Sequence, residues 1–128
     1  LADSLIENQG WQIELESKFE QFVEMLDTSI PERLGMVPIL EQSTERSREE
    51  IIQLLRLWMG WYRDILVVKY GVHEGILYSQ FNHKIEDLSR QVSPSEASDS
   101  IQAISVAIRN ISMNANIRLS LERLVIAL

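Results

Sequence analysis

The segment from about residue 47 to residue 70 constrains the fold most, because it is a helix with apolar side chains around most of its circumference. Its start is marked by Ser47-Arg48-Glu49-Glu50, a capping box in which the serine oxygen accepts an N–H of the first turn and Glu50 reaches back. Gly71 supplies the left-handed position after its end, near Tyr70. The apolar residues form two rows and a third set that widens them: Ile51, Leu55, Trp58, Tyr62 and Ile65; Ile52, Met59 and Leu66; and Leu54, Trp61 and Val68. We therefore predict a central helix, since so wide an apolar surface needs partners on more than one side.

The N-terminal part of the chain has the same helical period. One amphipathic helix of about eighteen residues is indicated by apolar residues at steps of three and four: Trp11, Leu15, Phe19, Phe22 and Leu26. We expect Gly10 to interrupt or start this helix, leaving residues 1–8 as a short helical leader. Ile30-Pro31 ends the segment, and a shorter helix should run from Pro31 to about Glu41.

The C-terminal part predicts three more helices. After an ordered loop over residues 72–80, a short helix runs from about Gln80 to Gln91. Ser93-Pro94-Ser95-Glu96 is a second capping box with proline at the first helical position, and Asn116 is a good N-cap for a last helix that ends at Leu128. No strand pattern competes with these helices. The sequence therefore predicts an all-α domain, a compact bundle of five to six helices spanning residues 1–128.

Composition excludes several function classes. The chain has 12 Lys+Arg against 19 Asp+Glu, a net charge of -7, whereas direct nucleic-acid binding needs an excess of cations facing the phosphates. It has no cysteine, which excludes disulfides, thiolate zinc sites and a cysteine nucleophile. The longest apolar stretch is interrupted by Arg56, Arg63 and Asp64, so we expect no membrane span.

Motifs for catalysis are also missing. The glycines are isolated from one another and form no phosphate-binding loop, and His73-Glu74 lacks the second histidine at helical spacing that a zinc protease needs. We therefore expect no enzyme active site, no metal and no cofactor in this chain.

Charge is distributed unevenly along the chain. Residues 1–30 carry seven acidic residues against Lys18 alone, whereas the last twenty residues carry Arg109, Arg118 and Arg123 against Glu122. This pattern indicates an acidic surface at one end of the domain, or simply a solvated helix face.

The last helix has apolar residues on two sides. One side is a normal core face, and Leu119 and Ile126 lie on a different one. Such a helix can be buried twice, once in its own domain and once against another subunit. The alternative is that both sides pack inside the bundle.

Two polar clusters are not explained by packing. Trp61-Tyr62-Arg63-Asp64 places a charged pair in the most apolar helix, and Asn114-Ala115-Asn116 precedes a helix with Arg118 and Glu122 one turn apart. We expect the two asparagines to cap helix ends, and Arg118 and Glu122 to pair within the helix or across an interface. The candidate interface or structural residues are Trp61, Arg63, Asp64, Asn114, Asn116, Arg118, Leu119, Glu122 and Ile126.

These clusters resemble the C-terminal domain of the delta-prime subunit of the bacterial DNA polymerase III clamp loader. That family has an Asn-x-Asn turn followed by Arg-Leu-Ala-Leu-Glu and an apolar tail, similar to residues 114–128 here, and a Trp-aromatic-Arg-Asp stretch in its central helix. The resemblance continues at Leu1-Ala2-Asp3-Ser4, Arg33-Leu34 and residues 58–69. Ile117 stands where many relatives have proline, and Ser120 where alanine is usual. The motifs do not separate delta-prime from the related ATPase subunit of the same complex.

The resemblance implies a function. Clamp loaders are pentamers whose C-terminal domains form a helical collar above the ATPase modules that open the sliding clamp. By this resemblance the chain is a non-catalytic collar domain of a cytoplasmic replication complex. Residues 1–8 are then the remnant of a preceding ATPase lid or linker, and the partners are other clamp-loader subunits, with no direct contact to nucleic acid or membrane. The alternative is a helical interaction or adaptor domain unrelated to replication.

Overall fold

The helices of this protein begin and end largely where the sequence places caps and breaks. A computed structural model describes residues 2–43, 48–71 and 82–128, except for the side chains of residues 2–9, 11, 42, 43 and 82. These residues form six helices and no strand: α1 Ala2–Leu26, α2 Ile30–Ser43, α3 Arg48–Lys69, α4 Asn82–Gln91, α5 Pro94–Ser112 and α6 Ile117–Ala127. The predicted all-α bundle is confirmed.

Two predicted helix boundaries are seen directly. The Ser93 side chain accepts a hydrogen bond from the Glu96 N–H at 3.0 Å, with Pro94 as the first residue of α5. Gly71 adopts a φ of 76° after α3, and its N–H donates to the Val68 carbonyl at 2.9 Å. The predicted cap at Ser47, the loop over residues 72–80 and the start of the fourth helix at Gln80 lie outside the described residues.

The prediction that Gly10 interrupts or starts the first helix is wrong. α1 runs without a break through Gly10, so residues 2–8 continue the helix and do not form a separate leader. Glycine costs about 1 kcal/mol relative to alanine inside a helix. The apolar row of α1 buries Leu15, Phe19 and Phe22, and burial of that row outweighs this cost.

The central position of α3 is confirmed. It packs against α4 and α5, while α6 packs against α2 and α5. Nine residues of α3 are buried, on more than one side of the helix: Ile51, Ile52, Leu54, Leu55, Trp58, Trp61, Tyr62, Asp64 and Ile65. The wide apolar surface therefore has the several partners that the sequence required.

Aromatic rings join α1 to α3. The Phe19 ring meets Trp61 edge-on, with centroids 5.0 Å apart and an interplanar angle of 83°. Phe22 contacts Trp61 at 5.1 Å and Tyr62 at 5.4 Å, the latter again edge-on at 88°. Edge-to-face pairs of this kind add about 0.5–1.5 kcal/mol each beyond the burial of their area.

Tyr62 also connects α3 to α5 through its hydroxyl group. The side chain is 1% exposed, and its hydroxyl hydrogen-bonds to Ser100 of α5. Desolvation by burial raises the pKa of Tyr62 to about 12, although the hydrogen bond to Ser100 lowers it in part. The folded protein thus holds this phenol in its neutral form.

We expect Phe22→Ala to lower the free energy of unfolding by about 3–5 kcal/mol, because it leaves a cavity among several rings. Urea denaturation followed by far-UV circular dichroism measures this change. Tyr70→Ala is the matched control, since Tyr70 is 71% exposed, and should change stability by less than about 0.5 kcal/mol. Similar losses for the two variants would contradict a core role for Phe22.

Stability should fall at alkaline pH through Tyr62. The folded-state pKa of about 12 lies above the ordinary tyrosine pKa of 10.0, so the contribution is complete below pH 10 and is lost as the pH rises toward 12. The loss amounts to about 2–3 kcal/mol. Urea denaturation of wild type and Tyr62→Phe at several pH values in this range gives the free energy of unfolding of each. The loss is the difference between the two proteins in how far that free energy falls with pH. Parallel pH profiles would show that Tyr62 does not resist ionisation.

Candidate functional site

The turn between α5 and α6 is built around Asn114. Its φ of 66° lies in the left-handed region, which asparagine tolerates better than most residues. The Ala115 N–H donates to the Asn110 carbonyl at 3.0 Å, and the Asn114 N–H donates to the Ile111 carbonyl at 3.1 Å. This pair of bonds is a Schellman motif, which ends α5 and turns the chain back along it.

Asn116 starts α6 immediately after this turn. Its side-chain oxygen accepts a hydrogen bond from the Leu119 N–H at 2.9 Å, and its carbonyl accepts one from the Ser120 hydroxyl at 2.8 Å. The expectation that Asn114 and Asn116 cap helix ends is therefore confirmed. The Ser120 hydroxyl donates the second of these hydrogen bonds, which an alanine at this position could not make.

An arginine from α3 holds this turn in place. The Arg48 Nη1 donates to the Ala115 carbonyl at 2.6 Å and lies 3.3 Å from the Ile111 carbonyl. Both acceptors belong to the end of α5 and the turn that follows. The first residue of α3 thus fixes the N-terminal end of α6.

A second arginine holds the other end of α6. Arg33, on α2, donates from Nε to the Met25 carbonyl at 3.0 Å and from Nη2 to the Leu26 carbonyl at 3.1 Å. Its Nη1 donates to the Val125 carbonyl at 3.1 Å. One guanidinium thereby joins the C-terminal ends of α1 and α6, where carbonyls lack helical partners.

The ion pair of Arg118 joins α6 to α2. Its Nε lies 3.1 Å from the Glu41 Oε2, so the observed partner is Glu41, whereas the sequence suggested Glu122. The two side chains are 54% and 35% exposed, and such a pair contributes under about 1 kcal/mol. It orients the first turn of α6 more than it stabilises the fold.

Sequence reasoning missed the roles of Arg33, Arg48 and Glu41. A signal was present, since Arg33 and Arg48 stand in the first turns of α2 and α3. A cation is unfavourable beside the positive end of a helix dipole. An arginine at that position therefore indicates a specific acceptor elsewhere in the fold.

The outward face of α6 carries two apolar side chains. Leu119 and Ile126 are 47% and 49% exposed, whereas Leu121, Leu124 and Val125 on the opposite side are buried. Leu119 and Ile126 are seven residues apart and lie on the same side of the helix. Glu122 and Arg123 flank them. We call this set (Leu119, Glu122, Arg123, Ile126) the α6 face.

A groove of about 320 Å³ runs beside the α6 face, between α5 and α6. Small residues of α5 and α6, among them Ala103, Ala107 and Ala127, line it together with Leu119 and Arg123. Of the two alternatives for the second apolar side of this helix, packing inside the bundle does not hold, because Leu119 and Ile126 are exposed in this chain.

The candidates on α3 have a different environment. Trp61 and the Asp64 side chain are completely buried, so they act within the fold and not on a surface. Arg63 is half exposed and reaches the Asp64 carboxylate, with 3.4 Å between Nη1 and Oδ1. The structure therefore separates the candidates into a core group on α3 and a surface group around α6.

The described ranges contain neither a metal site nor a membrane-spanning helix. Among residues 2–43, 48–71 and 82–128, no three His, Asp or Glu side chains are arranged to hold a metal ion. None of the described helices is long and apolar enough to cross a bilayer.

Comparison with known proteins gives no relative. No protein-family model, no curated protein and no solved structure matches the chain.

We expect Arg33→Met to lower the free energy of unfolding by about 1.5–3 kcal/mol, because it leaves helix-end carbonyls without their charged donor. Hydrogen exchange should show lost protection at the C-terminal ends of α1 and α6. Arg109→Met is the control, since Arg109 is exposed on α5 and has no such acceptors among the described contacts. Equal losses in the two variants would contradict the proposed role of Arg33.

Proposed function

We propose that this chain is a non-catalytic assembly domain that uses the α6 face to bind a neighbouring subunit. More specifically, we propose that it is the collar domain of a delta-prime-like subunit in a bacterial DNA polymerase III clamp loader, a cytoplasmic complex. The observation that carries the proposal is the α6 face itself, an exposed apolar row on a helix that arginines hold at both ends.

Burial of the α6 face by a partner is energetically favourable. Fully burying a leucine or isoleucine side chain is worth about 1.5–3 kcal/mol. Leu119 and Ile126 have about half of their surface still in water, so a partner that covers both gains roughly 1 kcal/mol from each. Glu122 and Arg123 beside them supply charges of both signs, which favour one orientation of the partner.

The fixed position of α6 lowers the cost of binding. Arg48 holds the turn before α6, Arg33 holds the Val125 carbonyl near its end and Arg118 joins its first turn to α2. A surface that is already ordered loses little conformational entropy when a partner binds it. The α6 face therefore has the preorganisation expected of a permanent interface.

The clamp-loader assignment is supported by the ordered set of motifs along the chain. The Asn114-Ala115-Asn116 turn, Arg118 and Glu122 follow the family pattern, and Arg33 matches its second helix. A ring member also needs a second lateral face. Exposed apolar residues on α1 and α2 (Ile13, Ile30, Ile39) offer positions for one.

We expect Leu119→Asp and Ile126→Asp each to weaken association with clamp-loader subunits at least tenfold, with the helical circular dichroism spectrum unchanged. Co-elution of the purified chain with the other collar domains in size-exclusion chromatography measures this. Met113→Asp is the matched control, because Met113 is 74% exposed in the turn and lies off the α6 face.

Each outcome of this experiment decides one part of the proposal. If wild-type protein does not co-elute with any clamp-loader subunit, the replication assignment fails and an unrelated interaction domain becomes the better description. If the complex forms but the α6 variants bind as tightly as wild type, the neighbour meets another face.

A further inference from the structure

A second groove lies on another part of the molecule, between α1 and α4. Its volume is about 560 Å³, compared with about 320 Å³ for the groove beside α6. Apolar side chains form its floor: Phe19, Val23 and Leu26 from α1 and Leu88 from α4. The three α1 residues are spaced by four and three positions, so they form one continuous row along the helix.

The rim of this groove is acidic. Glu20 and Glu24 line it from α1, Asp27 from the position after α1 and Asp87 from α4, while Lys84 is the one cation among the lining residues that the structure describes. All five of these side chains belong to exposed residues. The rim therefore carries a net charge of about -3 beside an apolar floor.

Two of the rim carboxylates are already paired. The Lys84 Nζ lies 3.8 Å from the Glu20 Oε1 and 5.9 Å from the centroid of the Phe19 ring, so its charge offsets that of Glu20 near Phe19. The Asp87 Oδ1 accepts from the Arg90 Nη1 at 2.9 Å. Among the described residues no ion pair involves Glu24 or Asp27. The uncompensated negative charge thus lies at Glu24 and Asp27, on either side of Leu26 in the sequence.

We infer that this groove binds a basic amphipathic helix of a partner protein. Leucine-like side chains of the partner lie on the row formed by Phe19, Val23 and Leu26, and its lysines or arginines reach Glu24 and Asp27. Charge decides the occupant, because an acidic or neutral helix with the same apolar residues leaves both carboxylates uncompensated as it displaces their water. The inference does not depend on the proposed function, since it uses α1 and α4 and not the α6 face.

Binding of synthetic peptides to the full chain tests this inference. The probe is a fluorescently labelled helical peptide with leucines on one face and lysines on both flanks. The comparison peptide has glutamates in place of the lysines. Anisotropy titration gives the affinities, and two-dimensional amide NMR maps the site. We expect the basic peptide to bind, to perturb amides of α1 and α4, and to bind at least tenfold more tightly than the acidic one.

Charge reversal separates the groove from the acidic charge of the whole chain. Glu24→Lys with Asp27→Lys should weaken the basic peptide at least tenfold. The control, Glu32→Lys with Asp99→Lys, changes the net charge equally at exposed positions outside the groove and should change the affinity less than twofold. Raising the ionic strength from about 0.1 M to about 1 M shortens the Debye length from about 10 Å to about 3 Å, and should weaken wild-type binding.

Several results would overturn the inference. Equal weakening in the two double variants would show general attraction to an acidic protein. If the basic peptide does not bind, or if it shifts only amides of α5 and α6, this groove does not bind a basic helix. If the chain associates with itself, and Glu24→Lys with Asp27→Lys abolishes that association, the occupant of the groove is a second copy of the chain.

Discussion

The width of the apolar surface on α3 is the constraint from which the rest of the fold follows. Because this helix buries residues on several sides, α4, α5 and α1 have to pack around it. Rings fill the space toward α1, where Phe19 and Phe22 contact Trp61 and Tyr62. Asp64 shows how complete the enclosure is, since its carboxylate is fully buried. Most of the stability of such a helix comes from the packing of its apolar surface against its neighbours.

Once the core is formed, arginines determine where α6 lies. Apolar packing alone is tolerant of small shifts, whereas a guanidinium that donates to carbonyls of two helices fixes their relative position. Arg33 does this for the ends of α1 and α6, and Arg48 does it for the turn before α6. The result is an outward row with Leu119 and Ile126 on an immobilised helix. The two grooves differ in the charge of their surroundings. One lies beside the α6 face, which carries charges of both signs, and the other has an acidic rim.

Features that depend on near neighbours in the chain could be predicted. Ser93 and Asn116 cap their helices as expected, because a cap bonds an N–H only three residues away. The prediction of a break at Gly10 is wrong, because the continuity of α1 depends on the burial of its whole apolar row and not on one residue. The partners of Arg33 and Arg48 could not be read from the sequence. Arg33 reaches a carbonyl 92 residues away as well as two that are 7 and 8 residues away, and the acceptors of Arg48 are 63 and 67 residues away.

Helical period and capping are local properties, so the helical class, the central helix, the turn at Asn114 and the two apolar sides of α6 can be predicted from the sequence alone. By contrast, three features follow from tertiary packing. Arg118 pairs with Glu41, guanidinium groups hold both ends of α6, and an acidic rim borders an apolar floor between α1 and α4. Those features depend on which distant segments meet, and that is set by how the bundle packs around α3 as a whole.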